Sequence, residues 1–188
     1  MRFYRTFLAA TAACLVGLGS AHASQISGLL NISGTATFDK KSLGKATTVT
    51  PFTDVTVGGG NTGDFGSITV GTSVVMASPY IFSPSTNTPA LWSVGGFTYD
   101  LQTSTVTLQN NNFLLISGTG MIFANGFEPT AGVWAFSTQN ASGKRHDTFT
   151  FSANVEAVPG VPDGGMTVTL LGAALIGLGV LRATFWKA

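Results

Sequence analysis

Few residues in this 188-residue chain have both the type and the spacing to do chemistry. His146 lies between Lys144-Arg145 and Asp147. A Ser-His-Asp hydrolase needs its histidine held by a carboxylate and facing a serine. Neighbours on a strand point to opposite faces, so Asp147 cannot orient His146 by adjacency. A solvated loop histidine is the simpler reading. His22 is the chain's other histidine, so a usual transition-metal cluster is missing as well. The run Gly58-Gly-Gly-Asn61-Thr-Gly63-Asp64 sets Asn and Asp oxygens on a glycine loop, a pattern open to a hard cation such as calcium. EF-hand spacing is absent and only Asp54 and Asp64 are charged nearby, so a Gly/Asn turn is preferred. No Lys-Ser/Thr follows to make a phosphate loop. Trp92, Trp134, Tyr80 and Tyr99 are of the type that stacks on sugar rings. Tyr99 and Trp134 fall in alternating runs that read as core, which leaves Trp92, after a Pro-containing loop, as the candidate sugar contact. No catalytic residue, metal site or cofactor is expected.

The elements that must position these residues read as strands. Leu30, Ile32, Ala36 and Phe38 share one parity. Val55 and Val57, Ile68 and Val70, and Val74-Val75-Met76 follow. Phe97, Tyr99 and Leu101 alternate with polar residues, as do Val106 and Leu108. Phe113-Leu-Leu-Ile116 is apolar at both parities and predicts the most buried strand. Trp134 and Phe136 share a face, and Phe149, Phe151, Ala153 and Val155 alternate with Ser, Thr, Asn and Glu. Period 2 with Val, Thr and Phe is what half-buried antiparallel strands need. Turn chemistry separates the runs at 58–64, 79–89, Gln102-Thr103, Asn110-Asn112, Asn125-Gly126 and 139–144. The spacing predicts an all-β passenger domain over 24–157, an antiparallel β-sandwich of jelly-roll type, with a partly closed barrel as the alternative.

Both ends of the chain differ from this middle. Met1 to Arg5 is a positively charged start, Thr6 to Leu18 is apolar, and Ala21-His22-Ala23 is an A-x-A cleavage site, so 1–23 reads as a signal peptide and the mature chain begins at Ser24. The one cysteine, Cys14, falls inside that segment; a lipoprotein cysteine there is the lesser alternative. After cleavage no disulfide or thiolate site remains. Residues 24–160 hold seven acids and five bases, a net of 5 − 7 = −2, which leaves no basic patch for nucleic acid.

Residues 158–165 form a linker with the motif Val161-Pro162-Asp163-Gly164-Gly165, and 166–188 an apolar helix with a basic end. Met166 to Leu181 would cover about 24 Å as a helix, and extension to Trp186 reaches spanning length. Arg182, Trp186 and Lys187 would anchor it at the cytoplasmic interface. The expectation is a transmembrane helix; a buried C-terminal helix is the alternative.

This order of motif, apolar helix and basic terminus resembles the PEP-CTERM class of sorting signals, in its Val-Pro-Asp-Ser-Gly variant with Gly164 in the place of Ser. The resemblance implies recognition by an exosortase, a membrane-embedded cysteine transpeptidase of Gram-negative bacteria. The enzyme would cut near Pro162-Asp163, discard the helix, and pass the protein from the inner membrane to the cell surface or extracellular matrix. Val161 to Gly165 are then a substrate site. The expected partners are signal peptidase, exosortase, the membrane through the helix, and exopolysaccharide. Two functions follow: a non-enzymatic structural or adhesive matrix protein, or a carbohydrate-binding module using Trp92.

Overall fold

Along the strand Thr148–Val158, Phe149, Phe151, Ala153, Val155 and Ala157 are buried while Thr148, Thr150, Ser152 and Glu156 are exposed. Strict alternation puts every apolar side chain on one face of the pleat. The same rule holds for Leu30, Ile32, Ala36 and Phe38, and for Trp134 and Phe136, all of them buried. The structure, a computed structural model, describes residues 23–140 and 148–160. Their strands are β1 (Ser24–Gln25), β2 (Gly28–Phe38), β3 (Thr48–Val57), β4 (Val75–Met76), β5 (Tyr80–Ile81), β6 (Thr88–Val94), β7 (Phe97–Gln109), β8 (Phe113–Ala124), β9 (Phe127–Glu128), β10 (Thr130–Gln139) and β11 (Thr148–Val158). Short 3-10 turns occupy Leu43–Lys45 and Gly63–Ser67. The chain is all-β over the described residues.

Nine strands form one curled antiparallel sheet in the order β4-β6-β7-β8-β10-β11-β2-β3-β5. β1 and β9 make a separate parallel pair. The two edges of the large sheet meet across residues 71–82. Gly71 N–H donates to Val57 O, Val57 N–H to Thr72 O, and Val74 N–H to Val55 O, at 2.8–2.9 Å. On the other side of this strap Ala77 N–H donates to Leu91 O of β6, and β4 pairs with β6 through Val75–Ser93 and Met76–Trp92. Main-chain bonds therefore close the curl, which removes most of the unpaired edge. The result corresponds to the partly closed barrel. A jelly roll needs Greek-key crossings between two sheets, and this strand order is a meander, so that expectation is corrected.

Three local expectations also change. Gln102-Thr103 is no hairpin: β7 runs unbroken, and its pairing with β8 shifts register between Leu101 and Thr103. Such a bulge flips the parity of inward residues, from Phe97, Tyr99 and Leu101 to Ser104. A second shift between Val106 and Leu108 turns Leu108 outward. Phe113-Leu-Leu-Ile116 is buried on one face only, with Leu114 and Ile116 inside and Phe113 and Leu115 outside. Ile68 and Val70 form no strand; the chain there leaves a 3-10 turn, and Val70 is exposed. Asn125-Gly126 does make the two-residue turn, with Gly126 at φ +84°.

Inward-facing glycines shape the interior. Gly120 of β8 sits between Leu101 and Gly132 in register, and Gly118 lies between Ser104 and Trp134. A Cβ on Gly120 would meet Asp100 O and stand 2.9 Å from the Tyr99 ring; one on Gly132 would stand 2.9 Å from Ile122. These positions clear the volume that Tyr99 and Ile122 fill. Gly120→Val should therefore destabilise the fold by about 1–3 kcal/mol or more through overpacking. Gly59→Ala, which meets nothing within 4 Å, should stay within about 0.5 kcal/mol of wild type. Thermal unfolding of the two variants checks the glycine notch directly.

Candidate functional site

The four aromatic residues singled out by type converge, but in the interior. Trp92, Trp134, Tyr80 and Tyr99 are each 0% exposed. Trp92 stacks on Tyr99 (centroids 5.8 Å apart, planes at 17°), Tyr99 on Trp134 (6.4 Å, 30°), Trp134 on Phe136, and Phe136 on Phe151 (5.1 Å, 26°). The rings cross from β6 to β11 over the glycine notch in β8. Trp92 as a sugar contact is therefore corrected. A left-handed Ala90 (φ +48°) and a register shift in β6 after Thr88 bring both Leu91 and Trp92 to the core.

Polar atoms inside this column are sparsely satisfied. The Tyr99 hydroxyl donates to Gly132 O at 3.1 Å. Tyr80 Oη, Trp92 Nε1 and Trp134 Nε1 have no hydrogen-bond partner among the described residues. Ser104 and Trp134 lie close enough to Tyr80 to oppose its shift, but neither reaches ordinary hydrogen-bond geometry, and geometry decides. Burial pushes the Tyr80 phenol up to about 12 and raises Tyr99 as well. Buried neutral phenols of this kind hold a core together and supply neither acid nor base near neutrality.

The 58–64 loop proves to be a strap on β2. Asn61 Oδ1 accepts Asn31 N–H at 2.8 Å, Asn61 Nδ2 donates to Gly58 O, and Asp64 Oδ2 accepts Ser27 N–H at 2.7 Å. Gly63, at φ +57°, leaves space for the Ser27 carbonyl that any side chain would fill. The oxygens that could have ligated a cation satisfy the β2 main chain, as a Gly/Asn turn requires. Among the described residues no group of three or more His, Cys, Asp or Glu gathers in a metal-binding arrangement.

The strands give the barrel two distinct ends. At one, Ala157 pairs with Gly28 and Val158 with Ala131, so Ser24, Gln25 and the β8–β9 turn gather beside the exit of β11. Gly160 lies beside the Gln25 amide, about 3.4 Å from the position of a Cβ built on it. At the other end Phe38 pairs with Val49, Thr148 with Thr37 and Gln139 with Phe113. The 39–47 connection closes over this second end and is firmly held. Asp39 accepts from Thr47 N–H, Thr47 Oγ1 and Thr48 N–H at 2.9–3.2 Å. Partial burial would raise that carboxyl, but these bonds and the nearby Lys40 outweigh it and hold it below the ordinary value. Gln109 Nε2 donates to both Leu43 O and Ala46 O at 2.7–2.8 Å, and Ser42 Oγ to Asn111 Oδ1 at 2.7 Å.

Outside the barrel, rows of small hydroxyls run across the strands. Leu115, Ser137, Ser152, Ser33 and Thr56 are successive cross-strand neighbours. Near the second end a shallow groove of about 390 Å³ opens among Phe113, Leu115, Gln139, Thr150 and Ser152. Sequence reasoning missed this surface; its signal was the double parity of Phe113-Leu-Leu-Ile116, taken for burial. A cleft of about 380 Å³ at the seam is lined by Thr53 to Thr56, Ser73 and Met76, with Asp54 at φ +53°.

Ala23 is exposed, while Ala21, His146, Val161, Pro162, Asp163, Gly164, Gly165, Arg182, Trp186 and Lys187 lie outside the described residues. No helix among the described residues is long and apolar enough to cross a membrane, and the span expected over 166–188 is not among them. Comparison with protein-family models, curated proteins and solved structures finds no match.

Two outcomes follow from the interior. Trp92→Ala should cost about 3–5 kcal/mol in denaturant unfolding, as loss of a fully buried large ring does. A surface tryptophan would give a near-neutral result. The unfolded chain releases the Tyr80 proton near pH 10 and the folded one only near about 12. Its contribution is thus intact below pH 10 and falls as pH rises from 10 through 12. Denaturation midpoints of a chain beginning at Ser24, whose tyrosines are Tyr80 and Tyr99, should decline across that window, with phenolate absorbance appearing only as the barrel opens; phenolate at pH 10 in a folded Tyr99→Phe variant would show Tyr80 to be accessible.

Proposed function

We propose that this is an exported surface or matrix protein, sorted by its C-terminal motif, whose barrel serves a structural or adhesive role without catalysis. Val161 to Gly165 act as the substrate of an exosortase-type transpeptidase, and Ala21 and Ala23 as the signal-peptidase site. The apolar 166–188 segment, with Arg182, Trp186 and Lys187, holds the precursor in the inner membrane of a Gram-negative bacterium until the cut.

One observation carries this reading beyond sequence order. Ala23 and Ser24 are exposed at the same end of the barrel where Val158, Pro159 and Gly160 emerge exposed, with Gly160 beside Gln25. The described residues next to both proposed cleavage segments are thus exposed at one end of the domain. Proteases act on exposed chain near domain boundaries, which favours cutting at both places with the barrel folded. The interior supports the non-catalytic part, since its polar groups are neutral phenols, indoles and hydroxyls engaged in packing. A carbohydrate-binding role through Trp92 is withdrawn with that residue's burial.

Intact-mass measurement on protein from the producing cells, fraction by fraction, tests the proposal. The expected species begins at Ser24, ends near Asp163, and is found outside the inner membrane. Pro162→Ala together with Asp163→Ala should leave the full C-terminus in place. Wild-type protein that still ends at Ala188 in the membrane would overturn exosortase processing.

A further inference from the structure

We infer that the end of the barrel opposite the chain exits binds an acidic polysaccharide, with its carboxylates at Lys40, Lys41 and Lys45 and its sugar rings along the groove that begins at Phe113. The inference deepens the matrix reading above by naming the polymer class; its surface is built from different residues than the sorting segments.

Charge is the first support. Lys40, Lys41 and Lys45 are the only bases among the described residues, and all three stand exposed on the 39–47 connection at this end. Asp39, the acid beside them, is committed to Thr47 and Thr48, and its pair with Lys40 is long at 3.9 Å. Lys41 and Lys45 form no ion pair among the described residues. The connection is pinned by Asp39, Gln109 and Ser42, so the ammonium groups project from a fixed base. Ligand binding there spends little on ordering the backbone. Each lysine is a hydrated point charge on a flexible stem, suited to spaced carboxylates more than to planar bidentate groups.

The groove is the second, independent support. Ser42 of the lysine connection bonds Asn111, and Phe113 follows two residues later as the first residue of β8. From there the groove of about 390 Å³ runs over Leu115, Ser137, Gln139, Thr150 and Ser152, and its lining among the described residues carries no charged side chain. Phe113 and Leu115 are 45% and 39% exposed, apolar steps flanked by hydroxyls and an amide. A sugar ring has an apolar face and a hydroxyl rim, which this lining matches. Nucleic acid is the poorer fit, because the described lining of the groove offers nothing to a continuous line of phosphates. The position of this end fits as well. Strands such as β8, 12 residues or about 40 Å long, separate it from the exits of both terminal segments, so it faces away from a membrane that holds them.

The test is affinity electrophoresis of the full-length chain in detergent through gels containing polygalacturonate, with neutral dextran and duplex DNA as comparison polymers. Wild type should be retarded by polygalacturonate and not by dextran, and retardation should weaken steeply as salt rises. Lys40→Gln/Lys41→Gln/Lys45→Gln should weaken it about tenfold or more, and Phe113→Ser by a smaller but measurable factor at constant salt. Circular dichroism should show both variants folded, since these side chains are exposed; a misfolded Phe113→Ser is replaced by Leu115→Ser. No retardation of wild type, retention unchanged in the lysine variant, or tighter binding to DNA than to polygalacturonate would each overturn the proposal. None of these results bears on the C-terminal mass, so sorting and binding fail separately.

Discussion

Everything in this domain depends on how ten or so aromatic rings share one barrel interior without a single covalent cross-link. The described residues contain no cysteine, so packing and hydrogen bonds alone hold them. The solution is local removal of bulk. Gly118 and Gly120 on β8, and Gly132 beside them on β10, place no side chain where Tyr99, Leu101 and Ile122 must lie. Close-packed interiors tolerate neither the void left by a missing ring nor the overlap of an added methyl. The stacked series from Trp92 to Phe151 and the glycine notch are therefore one constraint seen from two sides.

That constraint also explains why the barrel closes as it does. The curl brings β3 and β6 near each other, and the 71–82 strap supplies the missing main-chain partners between them. Backbone groups left open at such an edge would cost free energy or recruit another chain. Pairing β2 with β11 places the two ends of the domain side by side, leaving the loops of the opposite end free to carry side chains for a partner. The proposed sorting and polysaccharide surfaces thereby fall at opposite ends of the same scaffold.

Much of the strand content was legible from alternation. Phe149 to Val155 and Leu30 to Phe38 face inward as their parity requires, because side-chain direction in a strand repeats every two residues. The failures fall where backbone irregularity breaks the count. Two bulges in β7 changed which residues face inward, and a composition of Gln and Thr does not distinguish a bulge from a turn. Trp92 was misplaced for the same reason: the kink at Ala90 reset the parity of β6. Leu115 and Phe113 failed differently, because an apolar outer face looks like burial until the neighbouring strands are known.

By itself the sequence determined the all-β class, most strand positions and the identity of the inward residues on the regular strands, since these follow from local period and turn chemistry. It also carries the terminal patterns on which the proposed sorting rests, which are linear and need no fold to be read. Only the tertiary structure decided that the sheet closes on itself, that Trp92 is core, that the Gly58–Asp64 run is a strap, and that three lysines and a groove meet at one end. Each of those depends on register between segments far apart in the chain. Register is set by which rings and glycines fit together in the interior, and one-dimensional periodicity does not contain that fit.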